Sequence, residues 1–123
     1  MNPIQIVATI GPSTKELTQM KSMIEAGMSL ARLNFSWGTH EEHRQFVQDI
    51  RMATQAVGVT VPIIQDLSGP RVQQGAGHTF DCDVQVITEK DISDVQALAD
   101  MEIEYVALSF VKDAKDIADL RQV

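Results

Sequence analysis

Apolar positions along this chain change their period repeatedly, and each change marks an element. Ile4 to Ile10 is a short apolar run with β-branched residues, closed by Gly11-Pro12-Ser13, and it reads as a buried strand running into a turn. Ser13 and Glu16 stand at capping-box spacing ahead of Leu17, Met20 and Ile24, which recur at helical spacing up to Gly27. Ser29 to Leu33 predicts a second strand. Thr39 and Glu42 repeat the capping-box spacing, and Phe46, Ile50, Ala53 and Val57 trace the buried stripe of a second helix stopped by Gly58. Val61 to Gln65 predicts a third strand, with Pro62 near its start, where a missing N–H is tolerated.

Asp66-Leu67-Ser68-Gly69-Pro70 then reads as a polar turn. Beyond it regularity fades: 72–87 alternates weakly at Phe80, Cys82, Val84 and Val86 and predicts a hairpin or an irregular loop. Helical spacing returns from Asp91 to Asp100, with Ile92, Val95, Leu98 and Ala99 on one face. Tyr105 to Phe110 predicts a fourth strand, and Asp113 to Gln122 a last helix with Ala114, Ile117 and Leu120 facing inward. Alternating units with short links predict an α/β fold with a parallel sheet and right-handed crossovers. The expected architecture is four βα units, half of a TIM barrel, in a single domain spanning 1–123.

Length agrees with that reading, since 123 residues are about half of a ~250-residue TIM barrel. No apolar run approaches the ~18 residues of a membrane span, and the N-terminus lacks a basic-then-apolar signal pattern, so no membrane association is expected. A single cysteine, Cys82, fits a reducing, cytoplasmic setting. The net charge of −7 argues against nucleic acid as a partner, because phosphate backbones reward clustered Lys and Arg. It leaves room for a local basic pocket that takes a phosphorylated small molecule.

Such a pocket has candidates. Thr9 ends the first strand, Arg32, Asn34 and Ser36 the second, Asp66 the third and Ser109 the fourth. On a parallel sheet these share the carboxyl-end face, where ligands bind. One polar residue there only marks a loop; a series of them, each terminating an apolar strand, points to a site. His40 and His43, three apart at a helix start, could touch one ligand, but with Glu41 and Glu42 beside them they read as a solvated first turn; the spacing is not that of zinc-binding His-Glu-x-x-His, whose histidines are four apart. Trp37, at the mouth, suits either stacking on a base or plugging an interface.

Several segments in series resemble the pyruvate kinase family. Ala31-Arg32-Leu33-Asn34-Phe35-Ser36-Trp37-Gly38 is similar to its Arg-Leu-Asn-Phe-Ser-His-Gly signature, and Ile6 to Ser13 to its first strand and turn. Gln65 to Pro70 resembles its Asp-Thr/Leu-x-Gly-Pro segment, and Thr88 to Asp91 and Tyr105 to Val111 resemble segments entering the next helix and strand. The resemblance implies phosphoryl transfer between phosphoenolpyruvate and ADP, giving pyruvate and ATP in glycolysis, with potassium and magnesium. It implies Thr9, Pro12, Arg32, Asn34 and Ser109 on the substrate and nucleotide side, with Arg32 neutralising the transferring phosphoryl group. It implies a potassium site at the Asn34 and Ser36 side chains, the Asp66 carboxylate and the Leu67 carbonyl. Those all-oxygen donors suit a hard cation.

The departures carry their own expectations. Trp37 replaces the signature His, Gln73 stands where the family has Arg, and 72–87 takes the place of the lid domain. The family's catalytic Lys and its divalent-metal ligands fall beyond Val123, so these residues are expected to be inactive alone. A non-catalytic binding or interaction module and one half of a split enzyme are the alternatives. Four parallel strands also leave two edges, which predicts a homodimer or a missing-half partner.

Overall fold

The computed structural model describes residues 4–70, 72–74, 77–79 and 85–123, with the backbone alone for 72–74 and 77–79. Its elements in chain order are β1 (Ile6–Thr9), α1 (Leu17–Glu25), β2 (Met28–Asn34), α2 (His40–Val57) and β3 (Ile63–Asp66), then the short β4 (Val72–Gln74) and β5 (Gly77–Thr79). α3 (Glu89–Ala97), β6 (Tyr105–Ala107) and α4 (Ala114–Arg121) complete it. β1, β2, β3 and β6 form one parallel sheet in that order, each strand beside its predecessor. Right-handed crossovers between strands so ordered place every helix on one face. This is the α/β arrangement of half a barrel, not of a doubly wound sheet. β4 and β5 pair antiparallel as a hairpin; Phe80, Cys82 and Val84 lie outside the described residues.

The core fills the space between sheet and helices. Ala31, Leu33 and Ile63 point into it from the sheet, Met20 and Ile24 from α1, and Phe46, Val47, Ile50 and Ala53 from α2. Ile50 and Leu33 are fully buried, and truncating such a side chain to Ala costs about 2–5 kcal/mol. At the amino-terminal end of the sheet, the Glu104 carboxylate accepts from the Ile63 N–H at 2.8 Å and from Arg51 Nη1 at 2.9 Å. Burial pushes that carboxyl up, but the Arg51 and Ile63 hydrogen bonds outweigh it and hold Glu104 below the usual range. One side chain thereby joins α2, β3 and the approach to β6.

Several elements differ from the sequence expectation for definable reasons. Ser13 does not cap α1, because Pro12–Thr14 forms a 3-10 turn closed by Thr14 Oγ1 accepting from the Gly11 N–H at 2.9 Å. Glu16 then stands at the N-cap without a side-chain bond. The fourth strand stops at Ala107, well short of Phe110, which turns left-handed at φ 64°. α3 begins at Glu89 behind a Thr88/Asp91 capping box, and its buried positions are Asp91 and Asp94, so the helix is rotated from the Ile92/Val95 face. α4 buries none of its residues, and Ala114 and Ile117 are exposed rather than inward.

Candidate functional site

The carboxyl ends of β1, β2 and β3 bring three of the expected residues into direct contact. Arg32 pairs with Thr9 on one side in the ladder, and its Nη1 donates to Thr9 Oγ1 at 2.8 Å. Across the other neighbour, Arg32 Nε donates to Asp66 Oδ2 at 2.9 Å and Nη2 donates to the same oxygen. All three stand on the sheet face away from the helices, because the intervening Ala31, Leu33, Ile63 and Gln65 are the buried ones. Period-two alternation puts the core side chains behind the sheet and the polar ones in front.

Asn34 stands directly opposite Asp66 in the ladder. Its Oδ1 accepts from the Ser36 N–H at 3.0 Å, which folds the signature into a turn as soon as the strand ends. The Leu67 carbonyl accepts from Ser109 Oγ at 3.3 Å, tying the third strand end to the loop after β6. Pro12 lies on the exposed rim in the 3-10 turn beyond Thr9. Asn34, Ser36, Asp66 and Leu67 therefore offer oxygen donors at two adjacent strand ends. One carboxylate among neutral oxygens is a donor set for a hard monovalent cation. Among the described residues, no group of three or more His, Cys, Asp or Glu side chains could hold a metal ion, and the cluster's one carboxylate already faces a guanidinium. It does not fit a divalent ion.

Behind the end of β2, on the helix side, the packing is aromatic. The His43 imidazole stacks on Phe35 with ring centres 3.9 Å apart, and Trp37 and Phe46 flank it. His43 Nε2 donates to the Trp37 carbonyl at 2.8 Å, leaving Nδ1 as a bare acceptor, buried and without a hydrogen-bond partner among the described residues. Burial pushes this imidazole below its ordinary value. Trp37 is thus engaged in packing against the core, and His43, expected on a solvated turn, is buried. Gly38 is required beside it: its φ is +84°, and a Cβ would stand 3.0 Å from His43 Nε2.

α3 contributes contacts that no candidate residue in the sequence pointed to. Lys90 Nζ donates to the Phe35 carbonyl at 2.7 Å and to Asp94 Oδ2 at 2.6 Å, while His40 Nε2 donates to Asp94 Oδ1 at 2.7 Å. Asp91, fully buried, accepts from the Gly69 N–H at 3.1 Å, and Gln65 Nε2 donates to the Asp94 carbonyl at 2.8 Å. The loops after β2 and β3 are thus fastened to one helix. The visible signals were the Thr88/Asp91 capping spacing and the Lys90/Asp94 pair one turn apart.

Known proteins show the same affiliation. The family described as "Pyruvate kinase, barrel domain" matches residues 1–86. A pyruvate kinase of Leishmania braziliensis is 44% identical over 70 residues, 57% of this chain and 77% of that relative. A pyruvate kinase of Leishmania mexicana is 42% identical over 71 residues, 58% of this chain but only 14% of the relative. The cytosolic isozyme of Nicotiana tabacum is 27% identical over 117 residues, 92% of this chain and 22% of the relative. The match thus spans a small part of the length of those two.

Proposed function

The chain belongs to the pyruvate kinase family, and from that footing we propose that its strand-end cluster binds a phosphorylated carboxylic acid of the phosphoenolpyruvate kind without turning it over unaided. The observation that carries this is Arg32. Its guanidinium stands on the open face of the sheet, at the carboxyl ends, held between Thr9 and Asp66. A planar fork of donors so placed matches a phosphoryl group and can neutralise its charge. Thr9 bonds it, Asn34 follows it on the same face of β2, Ser109 stands against the Leu67 carbonyl, and Pro12 is on the exposed rim that the resemblance gives to nucleotide.

Potassium, which the family uses with magnesium, would be held by the Asn34 and Ser36 side chains, the Asp66 carboxylate and the Leu67 carbonyl. It would add positive charge beside the anion. Among the described residues no group of carboxylates matches magnesium. Phosphoryl transfer relies on positioning and charge neutralisation, and with Trp37 and Gln73 replacing two of the family's polar groups, that support is thin. Binding is the function these residues sustain. Titration calorimetry with phosphoenolpyruvate in potassium buffer tests it: heat of binding that vanishes in Arg32→Ala supports the reading, and no heat from the folded wild type contradicts it. One half of a split enzyme is the second reading, favoured by the outer edges of β1 and β6, which pair with no strand among the described residues.

A further inference from the structure

One side chain of α3 reaches across to the turn after β2. Lys90 Nζ donates to the Phe35 carbonyl at 2.7 Å, and the peptide unit it grips is the one joining Phe35 to Ser36. In a trans peptide the C=O and the N–H of one unit point in opposite directions. The N–H of this unit, on Ser36, donates to Asn34 Oδ1 at 3.0 Å. Lys90 therefore draws one end of the unit towards α3, and the other end faces the Asn34 amide. Asn34 stands at the carboxyl end of β2, opposite Asp66, and one peptide plane orients its side chain. With Oδ1 taken by Ser36, Nδ2 is the end of the amide that offers hydrogen bonds to an anion.

The surroundings of Lys90 fix where its ammonium stands. Both oxygens of Asp94 are engaged: Oδ2 accepts from Lys90 Nζ at 2.6 Å and Oδ1 from His40 at 2.7 Å, on a side chain 4% exposed. α3 is anchored in turn on the third strand end, where Gln65 donates to the Asp94 carbonyl and the Gly69 N–H donates to Asp91. The Thr88/Asp91 capping box sets the first turn of the helix, and with it the level at which Lys90 projects. Holding a long cationic side chain in one geometry costs rotamer freedom, and a buried carboxylate offsets that here. On the other side, Phe35 is pinned through its N–H, which donates to the Asp66 carbonyl at 2.9 Å, and through its ring, which stacks on His43. The unit that follows it is held at its oxygen by Lys90 and at its nitrogen by Asn34.

We propose that Lys90 is a positioning residue of the strand-end site: it keeps the Phe35–Ser36 peptide from turning over and so presents the Asn34 amide to the bound anion. Turned over, the unit would set the Phe35 carbonyl against Asn34 Oδ1, acceptor against acceptor, and drive the amide from its place. That role rests on the reading that a phosphorylated carboxylic acid binds at Arg32, with Asn34 next along the same face of the strand.

Titration calorimetry of the full chain with phosphoenolpyruvate tests it, with circular dichroism to verify folding. Lys90→Met should weaken binding about tenfold, the scale of one hydrogen bond from a charged donor. Lys90→Arg, whose guanidinium can bridge the same carbonyl and carboxylate, should stay within about threefold of the wild type. Lys115→Met removes the same charge and the same i,i+4 kind of pair, from the exposed Lys115–Asp119 contact on α4, and should leave the affinity unchanged. In an Asn34→Ala background Lys90→Met should weaken binding little further, because its effect runs through Asn34; a merely structural Lys90 would act equally in both backgrounds. Lys90→Gln serves if Lys90→Met does not fold. A Lys90→Met that binds like the wild type, an equal loss in Lys115→Met, or an undiminished loss in the Asn34→Ala background would each overturn the role of Lys90 while the Arg32 reading stands. A folded wild type that binds no phosphoenolpyruvate would overturn the Arg32 reading and the role of Lys90 with it.

Discussion

Arg32 and Asp66, on neighbouring strands, meet through two guanidinium nitrogens, Nε and Nη2, that both land on one carboxylate oxygen, Oδ2. The group suited to an anion and the carboxylate suited to a cation are therefore each other's counter-charge. A cation settling at Asp66 competes with Arg32 for that carboxylate, and Arg32 turning to an anion gives Asp66 up. If the proposed anion and cation both bind here, either one favours the other, and by linkage the coupling is the same from both sides.

Phosphoenolpyruvate affinity is accordingly expected to rise with potassium, by about 5- to 150-fold for a coupling of ~1–3 kcal/mol. Asp66→Asn should flatten that dependence while leaving Arg32 in place. Calorimetric titrations at fixed ionic strength, exchanging potassium for a bulky organic cation, measure it.

Asp94→Ala should loosen α3 from the strand ends. The Asp94 side chain is 4% exposed and accepts from both Lys90 and His40; its loss removes both bonds while Lys90 keeps the Phe35 carbonyl and the half-exposed donors return to water, at a cost of about 1 kcal/mol. Urea unfolding gives the number, and amide exchange should quicken in 89–97 before the sheet.

Gly69→Ala should destabilise by about 1–3 kcal/mol. Its φ is +66°, and an added Cβ would stand 2.9 Å from Phe110 Cδ2, where Phe110 is itself left-handed. In a Phe110→Ala background the steric part disappears and only the conformational part should persist, which a double-mutant cycle by urea unfolding separates.

His43 predicts a pH response. Burial lowers its pKa below the ordinary 6.5, so just below that pH the unfolded chain takes up a proton that the folded chain refuses. Stability is complete above pH 6.5 and is lost as pH falls from there to the folded value. Unfolding midpoints between pH 7.5 and 5 should fall for the wild type and fall less for His43→Gln.

The sequence showed the sheet and much of the site because the signals involved are local. Apolar runs and helical spacing located β1 through α2, although β1, read as buried, is largely exposed; the Thr39/Glu42 box forms as read, with Thr39 Oγ1 accepting from the Glu42 N–H at 3.1 Å. Arg32, Thr9 and Asp66 were placed at one mouth by strand order alone. What stayed hidden depends on contacts distant in the chain. Asp91 and Asp94 look like surface carboxylates until Gly69, His40 and Lys90 are brought to them. His43 looks like a solvated helix start until Phe35 and Trp37 fold over it. The Ser13 capping spacing was real, but the Gly11–Thr14 turn used those residues first.

The measurement closest to the central claim is thermal unfolding of the full chain in potassium buffer, with and without phosphoenolpyruvate, for wild type and Arg32→Ala. A ligand at a hundred times its dissociation constant adds ~2.7 kcal/mol to the folded state. A midpoint that rises with ligand concentration is expected in the wild type and not in a folded Arg32→Ala. An unchanged wild-type midpoint at saturating ligand, or an equal rise in both proteins, would contradict it.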